Sequence, residues 1–474
     1  MSLIPEMLGL YTDYYELTMA RGYFECGRKE EQAVFDYFFR TNPFGNGFTV
    51  FAGLRDLLDL IDRFRYSDVE LTYLRGLGFP EDFLSFLGEF RFRGTIHSVE
   101  EGEVVFPGEP LMRVEGTLLE TQLIESLLLN IINFESLVAT KSQRIRLVAG
   151  NRTFSEFGLR RGQGIGAVMG SRAAVIGGAD STSNVWCGRQ YGIPVSGTQA
   201  HSWIQSFDSE LEAFRAYARV HGNATILLVD TYDTIRSGIP NAIRVAHEME
   251  HDGLKLLGIR LDSGDLAYLS KMARKMFDAE GLDYVKIVAS NQLNEWVIKS
   301  LITEQDAPLD AFGVGTELIT GKPDAALDGV YKLCSVNGRP RMKISENVEK
   351  LTLPGVKQLV RFYDADGHFY RDGIYLEGEN PGLAPVLFHP LHAEKYTIVE
   401  GLKYEPLMKP VYSGGKNLIE EKSPVEISAY LRQRLAELPV EHTRFISPHL
   451  YKVGISEGLL DLKNRLQSEI KHIT

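Results

Sequence analysis

The residues best suited to chemistry fall where short apolar runs give out. In PVSGTQAHSWIQSF (194–207), an apolar run (Ile193, Val195) ends at Ser196–Gly197. Thr198 has the side chain of a helix N-cap, which places His201 in a first helical turn, where free N–H groups and the dipole favour anions. Other runs end in the same way. Thr153–Phe157 leads into Arg160 and Arg161, and Thr225–Asp230 into VDTYDT with Asp230 and Asp233. Leu256–Asp262 ends in RLDSGD (Arg260, Asp262, Asp265), Tyr284–Ser290 in Ser290–Asn291, and Ala311–Gly315 supplies Gly313, Gly315 and Thr316. Any one of these is an ordinary helix cap. Together, guanidinium groups, glycine-rich turns and carboxylates on one rim suit a phosphorylated sugar and a metal ion.

Such residues reach one rim only if the elements beneath them are parallel strands. From about residue 152 apolar runs alternate with helical segments every 25–35 residues, a βα repetition that implies a parallel sheet with right-handed crossovers. Five or six units favour a barrel over an open sheet, with chemistry at the C-terminal strand ends. Upstream, Asp13 and Glu16 have capping-box spacing, Leu17, Ala20 and Phe24 form an apolar stripe, and Tyr14 and Tyr15 fall off it. A strand-like stretch from 33 ends at Arg40, an available cation; residues 117–148 read as one or two long helices. After about 316 the chain turns to hairpins, with a turn at Asn337–Gly338 and helices near 424–437 and 456–472. The expected organisation is an α+β domain over 1–150, an α/β barrel carrying the site over 151–330, and hairpins and helices over 331–474 wrapping the core.

Composition narrows the class. A chain of 474 residues with 44% hydrophobic and 24% charged residues reads as a soluble protein of more than one domain, and a net charge of −12 argues against non-specific nucleic-acid binding. Cys26, Cys187 and Cys334 have neither disulfide nor metal-ligand spacing, and no signal peptide or membrane-length apolar run is visible, so a cytoplasmic location is expected. GQGIGA (162–167) resembles a dinucleotide fingerprint but trails its strand, and no GxxxxGK[ST] run occurs.

TDYYELTM (12–19), EFGLRRGQG (156–164), DSTSN (180–184), GTQAHSW (197–203), LLVDTYDT (227–234), RLDSGD (260–265) and FGVGT (312–316) resemble, in order, the motifs of nicotinate phosphoribosyltransferases. The resemblance implies an irregular, incomplete α/β barrel packed with an N-terminal α+β domain, in a homodimer that shares its sites. It implies the coupling of nicotinate with phosphoribosyl pyrophosphate (PRPP), driven by ATP through a phosphohistidine, with Mg²⁺ accompanying the pyrophosphate. Carried over to this chain, His201 is the phosphate acceptor and Asp262 faces the ribose. Tyr15, Phe157, Thr198, Arg260 and Ser183 serve nicotinate; Arg40, Arg160, Gly313, Gly315 and Thr316 serve PRPP and its phosphates. The metal ligands are left unassigned. The alternatives are the nicotinamide-using sister enzyme, a Schiff-base aldolase marked by a strand-end lysine, and a non-catalytic relative of the fold.

Overall fold

The alternation read near residue 33 becomes the strand Gln32–Phe39, with Ala33, Phe35, Tyr37 and Phe39 buried. It lies within a seven-stranded sheet, antiparallel to Met112–Thr117 on one side and to Gly329–Val336 on the other. Because Gly329–Val336 follows the parallel strands in the chain, the downstream segment helps build the unit begun by the N-terminal one. The computed structural model describes residues 7–344 and 352–473, in two units: 1–137 with 326–422 and 426–474, and 138–325 with 423–425.

In the first unit, Asn337 and Gly338 both have positive φ (47° and 70°), the mirror-image turn a tight hairpin requires. Helices run over Pro424–Glu437 and Glu457–Ile473. Asp13 does precede the Tyr14–Glu25 helix, but the capping box does not form, because its side chain makes no cap bond. Glu16 instead accepts bonds from the hydroxyls of Thr12 (2.6 Å) and Ser126 (2.5 Å), and burial pushes its carboxyl up to about 7. The unit also encloses a charge network that no sequence pattern announced. Fully buried Arg361 donates to Asp372 at 2.7 Å and to Glu103 at 2.7 Å, and Arg434 donates to Glu103 at 2.9 Å. Paired and hydrogen-bonded in this way, the charges tolerate burial.

The second unit carries six parallel strands: β1 (Thr153–Glu156), β2 (Ser181–Thr182), β3 (Ile226–Leu228), β4 (Gly258–Leu261), β5 (Lys286–Ser290) and β6 (Ala311–Val314). Neighbours in the sheet are neighbours in the chain from β3 to β6, and β6 pairs with β1, as in a barrel. Beyond β2 the run expected at 193–197 survives as one bridge, Thr182 to Val195, and between Val195 and β3 no ladder forms among the described residues. The ring is cut there. Across the cut, Gln199 Nε2 donates to the Ile226 carbonyl at 3.4 Å.

Candidate active site

Each strand delivers its last residues to one end. Phe157 follows β1, Asp230 and Thr231 follow β3, Asp262 follows β4, Ser290 closes β5, and Gly315 and Thr316 follow β6. Phe157, Arg160, His201, Arg260, Asp262, Gly313, Gly315 and Thr316 line a single cavity of about 520 Å³. Arg161, Asn291 and Gln292 line it too. Among the described residues no lysine does, which leaves a Schiff-base reading without its residue there.

The local geometry shows why these residues stand where they do. His201 opens the short helix His201–Gln205, so it does occupy a first turn. The expected cap is wrong, however: Ala200 holds the N-cap position with extended backbone, and the Thr198 hydroxyl donates to the Gln199 carbonyl instead. The His201 ring is held at Nδ1, 3.1 Å from Thr231 Oγ1, while Nε2 lies 3.8 Å from Asp262 Oδ2, beyond hydrogen-bond distance. Asp262 is fixed in turn. Its N–H donates to Asp230 Oδ2 at 2.8 Å, the Ser290 hydroxyl donates to its Oδ1, and Asn291 Nδ2 donates to its carbonyl at 3.0 Å. That leaves Oδ2 facing the cavity side of the histidine. Asn291 and Gln292 both have positive φ (73° and 52°), a backbone that side-chain-bearing residues adopt at a cost and that is concentrated at functional sites.

Arg260 reaches across the cut end, donating from a terminal nitrogen to the Gln199 carbonyl at 3.1 Å, while its buried Nε has no partner. Burial lowers its pKa from the ordinary value, and Asp262 and Asp230 oppose that shift. Three guanidinium groups (Arg160, Arg161, Arg260) thus face a cavity whose lining holds, among the described residues, one carboxylate, Asp262, so the space is built for anions. Phe157 forms an apolar wall. Its ring lies over Gly313, where an added Cβ would come within 2.5 Å of the ring, so only glycine lets the ring sit there. Behind it, buried Glu156 accepts from Thr182 Oγ1 at 2.6 Å, from Ser171 Oγ at 2.9 Å and from the Gly158 N–H, which ties down the start of the arginine loop.

Other expected residues lie elsewhere. Thr198 and Ser183 do not line the cavity. The Ser183 N–H donates to the Glu156 carbonyl at 2.9 Å, and Asn184, not Ser183, caps the next helix. Tyr15 and Arg40 belong to the first unit. Tyr15 is 46% exposed at the start of its helix, off the buried stripe of Leu17 and Ala20. Arg40 lines a separate cavity of about 510 Å³ with Lys332, Lys357 and Lys463, and its buried Nε has no hydrogen-bond partner. Thr231 and Asp230 lie within the strand-end run VDTYDT, but no sequence signal shows their pairings with His201 and Asp262, which lie about thirty positions away in the chain.

One lining carboxylate cannot cage Mg²⁺ alone. Such a lining would suit an ion that arrives already bound to a polyphosphate, the usual manner of this cation. Among the described residues, the cluster of three potential metal-ligating side chains, Asp364, Asp366 and His368, lies in the other unit.

Comparison with known proteins agrees with this geometry. Three family models match: the nicotinate phosphoribosyltransferase N-terminal domain over residues 10–133, the nicotinate phosphoribosyltransferase family over 153–367, and the C-terminal domain over 356–463. The nicotinate phosphoribosyltransferase of Bacillus subtilis is 42% identical, with 98% of each chain covered. The Homo sapiens enzyme of the same name is 35% identical, with 96% of each covered. The crystal structure of human nicotinic acid phosphoribosyltransferase superposes with a TM-score of 0.87 at 34% identity, covering 96% of this chain and 99% of the other. A nicotinate-nucleotide pyrophosphorylase from Pyrococcus furiosus shares the fold, with a TM-score of 0.70, 24% identity and coverage of 90% and 95%. Matched over almost its whole length in sequence and in structure, the chain belongs to the nicotinate phosphoribosyltransferase family.

Proposed function

We infer that the protein joins nicotinate to PRPP, giving nicotinate mononucleotide and pyrophosphate with ATP hydrolysis coupled, the family's activity. The observation that carries this reading is the convergence of His201, Asp262, Arg260 and Phe157 on one anion-seeking cavity in a chain of that family.

In the reaction the pyridine nitrogen attacks the anomeric carbon of the ribose while pyrophosphate departs, through an oxocarbenium-like state. Positive charge grows on the sugar and negative charge on the leaving group, so preorganised electrostatics dominate. Asp262, held by the Asp230 and Ser290 side chains, is the group assigned to the ribose hydroxyls and the growing cation. Arg260 receives the nicotinate carboxylate and Arg160 the phosphates, with the bidentate geometry lysine lacks. The backbone of Gly313 and Gly315 and the Thr316 hydroxyl serve the 5′-phosphate. Phe157 supports one face of the pyridine. Mg²⁺ bound with pyrophosphate would neutralise the leaving charge.

The remaining assignments belong to the same proposal. His201 accepts the γ-phosphate of ATP. The protein acts as a homodimer in which Tyr15 of the partner subunit covers the second pyridine face, as the exposure of Tyr15 supports, and Arg40, whose buried Nε has no hydrogen-bond partner, meets phosphate. A cytoplasmic location is supported by three free cysteines, and no helix among the described residues is long and apolar enough to cross a membrane. Incubation with nicotinate, PRPP, Mg²⁺ and ATP tests the central claim: mononucleotide should accumulate, and equal turnover of nicotinamide would move the assignment to the sister activity.

A further inference from the structure

The two nitrogens of His201 face different surroundings. Nδ1 lies 3.1 Å from the hydroxyl of Thr231, and Nε2 lies 3.8 Å from Asp262 Oδ2, a residue of the cavity wall. The hydroxyl comes from the far side of the cut in the ring: His201 follows the Val195 bridge, whereas Thr231 follows β3. No strand ladder joins those two edges among the described residues, so the ring is not held by sheet hydrogen bonds on that side.

Thr231 is well placed to act as a fixed post. Its χ1 is stiff because threonine is β-branched. Both ends of its short segment are anchored. Asp230 Oδ2 accepts the Asp262 N–H at 2.8 Å and the Ser263 hydroxyl at 2.7 Å; Asp233 Oδ1 accepts the N–H groups of Ile235 (3.1 Å) and Arg236 (2.8 Å). A neutral imidazole has one N–H and one free lone pair, and the bond made by one nitrogen decides which role the other takes.

We propose that Thr231 is the positioning residue of His201: by accepting a hydrogen bond from Nδ1–H on its Oγ1 it leaves the Nε2 lone pair turned to the cavity as the phosphate-accepting atom. This rests on the reading of His201 as acceptor of the ATP γ-phosphate. In the step, the Nε2–P bond forms, the P–O bond between the γ-phosphorus and the β,γ-bridging oxygen breaks, and ADP departs with that electron pair. The proton on Nδ1 stays there, still donated to Thr231. Without the hydroxyl the ring is free to turn about two side-chain bonds, and misplacement of a reacting atom by about 1 Å can cost on the order of a hundredfold in rate.

The test uses the full-length protein with γ-labelled ATP, in the wild type and in Thr231→Val, Thr231→Ala, Thr231→Ser and His201→Asn. Three readouts are followed: the rate of acid-labile labelling, the ratio of ADP released to mononucleotide formed, and the phosphohistidine isomer recovered after alkaline hydrolysis. In the wild type the label should be on Nε2. Thr231→Val, which keeps the shape and loses the hydroxyl, should slow labelling by about 10- to 100-fold, raise the ADP ratio and yield mixed isomers. Thr231→Ala should do the same, and Thr231→Ser should restore all three. A merely structural threonine would change the amount of folded protein but neither the isomer nor the ratio. Wild-type rate and isomer in both Thr231→Val and Thr231→Ala, or wild-type label on Nδ1, overturns the proposal while leaving His201 as the acceptor. An unlabelled wild type, or label surviving in His201→Asn, overturns the acceptor reading and this proposal with it.

Discussion

At the residue scale the cavity is a problem in charge. Arg260 sits with a buried, unpartnered Nε beside a cavity whose lining holds, among the described residues, one carboxylate, so a negatively charged pyridine substituent finds there the donor that a neutral amide needs less. Arg260→Ala should weaken nicotinate use by about 3 kcal/mol, roughly a hundredfold in kcat/KM, and nicotinamide use far less; parallel steady-state assays of both pyridines decide it. Asp262→Asn keeps the shape and removes the charge opposite the growing cation. It should lower kcat by roughly a hundredfold to a thousandfold with nicotinate affinity nearly retained, as read by single-turnover kinetics and equilibrium binding. Legibility at this scale followed chain proximity. His201, Arg260 and Asp262 stand out because a strand end and its polar residue are adjacent in sequence. Thr198 is read as a cap by the same local rule, and the rule fails there because Ala200 takes the N-cap position. The contact of Thr231 with His201 is invisible in sequence because the two stand thirty residues apart and only the fold brings them together.

At the element scale the apolar runs announced the parallel strands, and the βα spacing announced their order. What escaped was β2, two residues long and too short for any periodicity, and the weakness of the run at 193–197, where Pro194 lacks an N–H and Val195 is left with one bridge. The glycine in β6 also carries meaning that composition hides. Gly313→Ala would put a methyl group 2.5 Å from the Phe157 ring, so the ring must move out of its seat. Nicotinate affinity should fall about tenfold or more while the fold persists; titration calorimetry against the far-ultraviolet spectrum separates the two effects.

At the scale of the whole molecule, stability and assembly carry the expectations. The Glu16 carboxyl is raised to about 7 in the folded protein from an ordinary 4.5. Its contribution is therefore fully present below the lower value and lost as pH rises through the higher one. The melting temperature should fall across that interval, and Glu16→Gln should flatten the profile. Mixing Tyr15→Ala with His201→Ala subunits should regenerate active hybrids if each site draws Tyr15 from one chain and His201 from the other; no recovery across mixing ratios would rule out shared sites. The division of the chain at this scale was only partly legible, because a strand as late as Gly329–Val336 pairs with one as early as Gln32–Phe39, a non-local match that no window of sequence displays.

The cut in the ring has a mechanical consequence. A closed hoop resists widening everywhere, whereas a slit one concentrates its compliance at the slit. In this protein the slit runs between Val195 and β3, and His201 and Thr231 face each other across it. The mouth can widen there without unzipping a single ladder, while the opposite wall of β4, β5 and β6 stays stiff under Asp262. Amide exchange should accordingly be fastest along 195–200 and slowest in β5, and a bulky group seated on His201 would press on the most yielding line of the wall.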